Sequence, residues 1–484
     1  MPFDARATVR PVDAASLPRP PAPEPAAGRS LLDRVVGKLR PSVEPPADFG
    51  CAAAGLPPIP ERRHEVFRFY RLEIAPDATV GKRMPDGRFV PHPIYAPYVI
   101  DAYALAHARS REPVHAEGAA RVADRAAAFM EPVGDGDGVA WHFDPRDGLT
   151  QFPHRFYSGL VQVRYLRSLT SVAQASGRDD LAALARRVFR SLRVPVEDGG
   201  VLLRTPFGPL VEEYPHAIPT YVLNGWSTVI TELLRYARRA GHDEARAFAE
   251  ENLAAMRALL PRYDLPRLAN TRYQLTGFAY LRLVARHPRT LALRGFETRV
   301  GGRWHGLGPE AAGRWTNHLR AKEVGADGFA SHRTLMLNGV WSLIEDRQAA
   351  RLHLECRRPT QLAVSLAQGE YDPLLTSMPT KAWADLVTVD LPEGGSVVEL
   401  DFDNAAIDRV VYPTNFRKEV GGEMFNAYHY IHAQNLEELL ETRDDPVLRT
   451  YAERWRGYTR EWPGMEILSD PRISHRSLRE THLK

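Results

Sequence analysis

The sequence has little cysteine and little lysine. Its 484 residues include only two cysteines, Cys51 and Cys356, too few for a disulfide framework or a zinc cluster. Six lysines stand against 57 arginines, and the formal net charge is only +3. This charge is too small to predict a nucleic-acid partner. Arginine pairs well with carboxylates and sulfates, so an acidic substrate is allowed but not indicated by composition.

Long apolar runs are also lacking. No window is long and apolar enough to span a membrane. The N-terminus has neither the basic start nor the apolar run of a signal peptide. We therefore expect a cytoplasmic protein without a membrane span. The 44% share of hydrophobic residues is ordinary for a globular protein, and the length suffices for two or three domains.

The chain divides where composition and hydrophobic period change. Residues 1–58 are rich in Pro and Ala, which predicts a disordered tail with at most a transient helix over 30–40. Region 59–290 opens with alternation over 65–74, which predicts a strand and a β-hairpin entry. Helical spacing of apolar residues follows, with Gly or Pro at the breaks. The predicted helices cover 93–106, 116–131, 155–177, 179–193, 217–240, 243–261 and 271–286.

Helices with short connections form hairpins, and several hairpins in sequence predict an α/α toroid with a cleft at one end. Region 291–412 carries short β-branched or alternating segments and a Pro-Glu-Gly-Gly turn, which predicts a β-sandwich. Helical periodicity returns over 413–470, and 471–484 form a second tail. The predicted fold is therefore mainly α, an incomplete α/α toroid with an inserted β-sandwich.

Two internal stretches place a tyrosine beside other polar groups. Glu213-Tyr214-Pro215 precedes Leu223-Asn224-Gly225 at a predicted helix start. The proline restrains Tyr214 toward an extended backbone, and loops before helices often carry functional groups. Arg272-Tyr273 follows Leu260 to Asp264. An ordinary helix entry is the alternative interpretation of the local pattern at Glu213.

A third stretch lies near the C-terminus. Tyr428, His429 and His432 fall close to one face of a predicted helix, with Asn435 one turn further. The spacing of the histidines does not match HExxH, which needs four residues and a glutamate, so we expect no metal. A polar patch on a half-buried helix is the alternative interpretation. We find no nucleophile elbow, dinucleotide fingerprint or P-loop, and we expect no cofactor.

In chain order these stretches resemble the D-glucuronyl C5-epimerases (heparosan-glucuronate 5-epimerases), and the chain looks like a bacterial-type member. The resemblance covers the helical regions, about 90–275 and 423–458. The matching segments are Pro93-Ile94-Tyr95 with Tyr103 to His107, Tyr157 to Gln162, Glu213-Tyr214-Pro215 with Leu223-Asn224-Gly225, Leu260 to Asp264 with Tyr273-Gln274-Leu275, Tyr428 to Leu436, and Pro446-Val447 with Arg454-Trp455.

The resemblance implies an epimerase that inverts carbon 5 of D-glucuronate units to L-iduronate in a heparosan-like polysaccharide. Such chemistry needs a base and an acid on opposite sides of the sugar ring. By this resemblance Glu213, Tyr214, Tyr273 and Tyr428 carry catalysis, and the protein is a homodimer. The residues expected to bind substrate are Arg272, His429, His432, Asn435, Asn224 and Gln162.

The sequence departs from the family at one functional point. Thr276 and Gly277 stand where the family carries an arginine and a histidine, so the group that binds the substrate carboxylate is not predicted. A free phenol, with a pKa of about 10, can serve as a base only if its surroundings lower that value. A polysaccharide lyase, which begins with the same proton abstraction, and a non-catalytic glycan-binding protein stay open as alternatives.

Overall fold

The computed structural model describes residues 3–18, 44–150, 152, 154–216, 218–306, 327–369, 371–375, 380–407 and 413–477. The transient helix expected over 30–40 lies outside the described residues, as does the C-terminal tail beyond 477.

In the described parts of the chain, the helices comprise one short helix and four hairpins. Two or three residues join the members of each hairpin, and left-handed residues such as Gly177 and Gly241 end the first helix in several of them. The helices are α1 His64–Tyr70, α2 Tyr95–Ser110, α3 Pro113–Ala127, α4 Gly159–Ser176, α5 Asp179–Ser191, α6 Leu223–Ala240, α7 Asp243–Tyr263, α8 Ala427–Thr442 and α9 Pro446–Glu461.

The first helices of successive hairpins pack side by side in the order α2, α4, α6 and α8, and each second helix packs on its own first helix. The chain leaves the helices after α7 and returns with α8, which packs on α6. Helix α8, which carries Tyr428, therefore lies beside α6, the helix that follows the Glu213-Tyr214 segment.

Short strands lie between the hairpins and in the loops. Three of them form a small antiparallel sheet ahead of α2, close to the predicted hairpin entry. These strands are β2 Leu72–Ile74, β3 Val80–Arg83, β4 Phe89–Pro91, β5 Glu131–Val133, β6 Gly138–Ala140, β7 Leu202–Thr205, β8 Gly208–Val211, β9 Asp264–Leu265, β10 Asn270–Thr271, β19 Lys418–Val420, β20 Glu423–Phe425 and β21 Ile473–Ser474.

The long strands build two antiparallel sheets, in the orders β1-β18-β15-β12-β13 and β14-β11-β16-β17. The inward residues of both sheets share one hydrophobic core with parts of α6 to α9. The strands are β1 Ala5–Val12, β11 Thr276–Ala285, β12 Leu291–Val300, β13 Arg303–Gly306, β14 Thr334–Ser342, β15 Arg347–Cys356, β16 Thr360–Gly369, β17 Thr380–Leu391 and β18 Gly394–Asp403.

Two segments differ in secondary structure from the prediction: one predicted helix is a strand, and one predicted strand is mostly a helix. The helix expected over 271–286 is strand β11, in which buried and half-buried residues alternate. Ala279 and Leu283 satisfy both a four-residue and a two-residue period, which made the segment ambiguous. The β region therefore begins at Thr276 rather than at 291.

The strand expected over 65–74 is mostly helix α1, which ends at Arg71 in a left-handed conformation (φ 52°). Only Phe67 is buried in this helix. Its alternating aromatic residues reflect a surface aromatic patch rather than the two faces of a strand.

The N-terminal segment is not a disordered tail in its described parts. Strand β1 pairs with β18 along its whole length, from Ala5 opposite Phe402 to Val12 opposite Gly395. Phe49 and Cys51 are buried in the core of the first helices. The high Pro and Ala content concealed a short alternating strand and an apolar turn, and both reach cores supplied by distant parts of the chain.

A buried carboxylate explains two of the sequence motifs. Asp264, at the end of α7, accepts hydrogen bonds from Arg454 Nη1 (2.7 Å), Trp455 Nε1 (3.0 Å) and the Tyr458 hydroxyl (2.9 Å). These contacts join α7 to α9, so the Leu-Pro-x-Tyr-Asp and Arg-Trp segments form a structural pair.

Among the described residues, no helix combines the length and apolar character needed to cross a membrane.

Candidate active site

Two adjacent glutamates follow β8 and turn to different surroundings. The Glu212 carboxylate accepts hydrogen bonds from the Thr220 and Tyr221 amides (both 3.1 Å) and from the Thr220 hydroxyl (2.8 Å). Tyr221 has a left-handed backbone (φ 58°), a strained conformation for a residue with a side chain. Glu212 therefore braces the turn that leads into α6.

Glu213 lies against the first turn of α6. Its side chain is buried, and Oε2 accepts a hydrogen bond from Asn224 Nδ2 at 3.0 Å. A Cβ atom at Gly225 would come within 2.5 Å of Glu213 Oε2, so only glycine leaves room for the carboxylate. The Asn224-Gly225 pair of the motif is thereby explained: one residue binds Glu213 and the next makes space for it.

Burial raises the pKa of Glu213 to about 7. Hydrogen bonds from Tyr214 and Asn224 act in the opposite direction, the negative Glu212 adds to the rise, and the positive Arg164 opposes it. A carboxyl group with such a pKa is present in both protonation states at neutral pH. It is therefore suited to accept and release a proton.

The other phenols gather around this carboxyl group. The rings of Tyr273 and Tyr428 meet edge to face, with centroids 4.6 Å apart, and their hydroxyls are hydrogen-bonded to each other. The charge of Glu213 acts on both phenols, and Tyr214 acts on Tyr273. These four residues, Glu213, Tyr214, Tyr273 and Tyr428, form one group, the Glu213 cluster.

The cluster reaches the surface through Tyr428. This residue leaves 41% of its area exposed, yet its hydroxyl end lies deep enough that burial, together with Glu213, raises its pKa. Burial also raises the pKa of Tyr273 well above the usual value. The condition for a phenol base, a lowered pKa, is not met by either residue. Both are neutral at pH 7 and can donate a proton.

The two histidines of the C-terminal motif lie inside the packing. His429 Nε2 is 2.8 Å from the Trp455 carbonyl oxygen, and the Nδ1 atoms of His429 and His432 lie 3.2 and 2.9 Å from Thr271 Oγ1. Burial lowers the pKa of His429 to about 4 and that of His432 further. Neutral, enclosed imidazoles of this kind do not favour the expected role in binding a carboxylate. These contacts hold α8 in place, and the expected role of the two histidines in binding substrate stays a prediction.

Three further residues expected to bind substrate make contacts within the protein. Gln162 is fully buried and its Nε2 donates to the Val139 carbonyl and the Ser191 hydroxyl. Asn435 Nδ2 donates to Ser227 Oγ at 2.8 Å and so ties α8 to α6. Arg272 is buried, and its Nε donates to the carbonyl of Arg262. Of the six residues expected to bind substrate, Asn224 is the one that these contacts bring directly to the Glu213 cluster.

Sequence reasoning missed a cation beside the cluster. The positive charge of Arg164, on α4, lowers the pKa of Glu213 and of Tyr70 and so offsets part of the rise that burial causes. Its guanidinium lies 5.9 Å from the Tyr98 ring centroid, and within the described residues its buried Nε has no hydrogen-bond partner. An arginine among the buried positions Val161, Val163 and Tyr165 was the available signal.

A second missed feature is an aromatic wall beside Tyr428. Tyr70 stacks on Tyr98 with centroids 5.8 Å apart, and Tyr428 contributes to the raised pKa of Tyr70. Phe152 and Phe156 surround Tyr214 with tilted and edge-to-face rings, whose centroids lie 6.0 and 6.2 Å from that of Tyr214. Aromatic faces of this kind are suited to pack against sugar rings, which have apolar faces of their own.

Sequence comparison agrees with the motif analysis. Residues 138–288 match the family described as the D-glucuronyl C5-epimerase C-terminus. Over 130 residues the chain is 25% identical to an uncharacterized protein of Methanocaldococcus jannaschii, covering 26% of this chain and 42% of that protein. The chain thus spans less than half the length of this curated relative.

Solved structures are similar only at a distance. A sugar epimerase from a ruminal bacterium has a TM-score of 0.28 at 13% identity, covering 39% of this chain and 49% of that chain. A GH76 alpha-mannanase of Bacteroides thetaiotaomicron has a TM-score of 0.29 at 11% identity, covering 40% and 52%. Structural similarity at this level says nothing about the function of the site.

The family match contains Glu213, Tyr214, Asn224 and Tyr273, whereas Tyr428 lies beyond its end. The fold nevertheless brings Tyr428 to Tyr273. Residues 138–288 therefore resemble the D-glucuronyl C5-epimerase C-terminus, which confirms the resemblance predicted from the motifs.

Proposed function

We propose that the protein is a uronate 5-epimerase that acts on a polysaccharide, inverting carbon 5 of D-glucuronate units to L-iduronate in a heparosan-like polymer. The observation that carries the proposal is the Glu213 cluster: one carboxyl group with a pKa of about 7 beside neutral phenols. The family match over 138–288 supports the same reaction class.

Glu213 and Tyr214 form the basic half of the proposed reaction. The Tyr214 hydroxyl is hydrogen-bonded to the Glu213 carboxylate. In our proposal the ionised carboxylate takes the Tyr214 proton while the phenolic oxygen takes the proton from carbon 5. Glu213 ends the step protonated, Tyr214 is neutral again, and the electron pair left at carbon 5 is shared with the substrate carboxylate as an enolate.

Tyr273 and Tyr428 form the acidic half. Each is a neutral phenol, and the hydrogen bond between them lets the second stabilise the oxygen of the first after it has donated. One phenol gives its proton to the opposite face of carbon 5, and solvent restores that proton to the phenol before the next turnover. Solvent hydrogen therefore enters the product at carbon 5.

Arg164 is our proposal for the group that stabilises the charge of the substrate carboxylate. Thr276, at the position of the family's arginine, is buried and bonds Ser342 Oγ at 3.1 Å in the β region, so it is turned away from this task. Arg164 approaches Glu213 from α4 instead, and its unpartnered Nε leaves a donor for an anion.

The finer features of the expected architecture belong to the same proposal. The order of the hairpins supports an incomplete α/α toroid, and the shared core of the two long sheets supports a β-sandwich. We further propose a homodimer that needs no cofactor, since the reaction moves only protons.

The test is the fate of carbon 5 when heparosan is incubated with the protein in deuterium oxide. We expect deuterium at carbon 5 and formation of iduronate, with no change in chain length. An unsaturated, ultraviolet-absorbing chain end would identify a lyase. Binding of heparosan with neither product would identify a glycan-binding protein. Either of these two outcomes would overturn the epimerase proposal.

A further inference from the structure

A groove of about 850 Å³ lies beside the Glu213 cluster, a volume in the range of ligand-binding clefts. One wall comes from the loops around His154 to Phe156 and Arg204, and the other comes from the hairpin between β12 and β13. We call it the arginine groove, after Arg155, Arg204 and Arg303 in its lining. None of the residues expected from the sequence to be functional lines it.

The groove adjoins the candidate active site at Tyr214. Pro215 and His216, which line it, follow Tyr214 directly in the chain. Phe156, another lining residue, has its ring centroid 6.2 Å from that of Tyr214. A chain of sugar units that places one unit at Tyr214 can therefore extend into the groove without leaving the protein surface.

The β region supplies the second wall. Gly301, at the turn between β12 and β13, has a left-handed backbone (φ 61°), and a Cβ atom there would lie 3.4 Å from the Tyr221 hydroxyl. The hairpin thus rests on the turn that Glu212 braces. It projects Arg303, Trp304 and His305 into the groove.

The arginines differ in how far the protein already neutralises them. Arg155 is paired with Glu131 at 2.6 Å. The side chain of Arg303 is 73% exposed, and its nearest carboxylate partner, Glu197, lies 3.8 Å away with a side chain that is 54% exposed. Arg204 is exposed, and across the described ranges its side chain has no hydrogen bond or ion pair. Arg303 is therefore only weakly paired, and Arg204 is unpaired within the described residues.

We infer that the arginine groove is a subsite for the acidic sugar units that flank the reacting one, with Arg204 and Arg303 binding their carboxylates. This inference rests on the proposed function, because it assumes that the polymer passes the Glu213 cluster. The planar guanidinium forms paired, charge-assisted hydrogen bonds with carboxylates. The groove would thus bind a polymer of glucuronate better than a single unit, and better than a neutral glycan.

The test compares charge-matched double variants in heparosan binding, measured by titration calorimetry, and in carbon 5 exchange. Arg204→Ala/Arg303→Ala removes two groove charges. Arg10→Ala/Arg238→Ala removes two exposed charges elsewhere and serves as the control. For the groove variant we expect Kd and KM for heparosan to rise about tenfold, the scale of losing two charge-assisted contacts, with kcat within about twofold because the reacting groups are untouched.

Three further comparisons are expected to follow. The control variant should bind as the wild type does, Arg204→Lys/Arg303→Lys should recover part of the affinity, and neutral dextran should not bind. An unchanged Kd in the groove variant, an equal loss in the control, or no heparosan binding by the wild type would overturn the subsite.

Binding and exchange also separate this inference from the proposed function. Normal exchange with unchanged binding in the groove variant would overturn the subsite alone. Arginine-dependent binding without any exchange would support the subsite and overturn the epimerase.

Discussion

Replacing Glu213 with glutamine should reduce carbon 5 exchange by about 10³-fold, within the range found for removal of a positioned acid or base. The amide keeps the size of the side chain and can still accept the hydrogen bond from Asn224, but it cannot take a proton at neutral pH. The measurement is the initial rate of deuterium incorporation from solvent. Exchange within a few-fold of the wild type would remove Glu213 from the mechanism.

Glu212→Gln is a matched control. Glu212 is the adjacent residue, equally buried, and its pKa is also raised to about 7 by burial. Its oxygens are bound by the backbone and hydroxyl of the turn at Thr220, and a glutamine can keep these contacts. We expect exchange to survive this change within a few-fold.

The two variants should share an effect on stability. A carboxyl pKa that is higher in the folded than in the unfolded chain means that the folded chain binds more protons between those values, so stability falls as pH rises from about 4.5 to about 7. Glutamine removes this loss. Each variant should therefore gain stability relative to the wild type as the pH rises. The difference in the free energy of unfolding between variant and wild type should be about 2 kcal/mol larger at pH 8 than at pH 5. Denaturant melts at both pH values measure the difference, and equal values would contradict the raised pKa.

A chain that begins at Arg62 should lose most of its stability. It lacks strand β1, which pairs with β18, and the buried side chains of Phe49, Leu56 and Ile59. Each such side chain contributes about 1.5–3 kcal/mol, and a whole domain is stable by only about 5–15 kcal/mol. We expect no cooperative thermal transition, or one lowered by at least about 10 °C.

Point variants show whether the loss comes from packing. Phe49→Ala alone should cost about 3–5 kcal/mol, because the ring is fully buried. Leu105→Ala, at a position 37% exposed, should change stability by less than about 1 kcal/mol. An unchanged melting temperature in the shortened chain would restore the expectation of a disordered tail.

The sequence predicted the long helices because each has a continuous apolar stripe bounded by glycine or proline. Helices α4, α6 and α7 lie close to their predicted positions. Where a segment satisfied two periods at once, as β11 does, only the partner strands β14 and β16 decide its conformation. The N-terminal strand was missed for a related reason, since its partner lies nearly 400 residues away.

The candidate site, too, could be predicted from the sequence only in part. Glu213, Asn224 and Gly225 could be linked in advance because they lie at one helix start. For His429 and His432, the spacing shows which face of α8 they share, but not that Thr271 and Trp455 enclose that face. Arg164 and Arg204 carried no motif at all. Their importance comes from neighbours that only the folded chain brings together.

The most direct test of the central claim, that the clustered phenols move the carbon 5 proton, is solvent deuterium incorporation by Tyr214→Phe, Tyr273→Phe and Tyr428→Phe, with a thermal melt of each. Each change removes one hydroxyl and keeps the ring. We expect at least two of the three to lose at least about 10²-fold in exchange while remaining folded. Core tyrosines without a catalytic role would instead lose about 1 kcal/mol of stability and keep their activity. Near-normal exchange in all three variants would contradict the account.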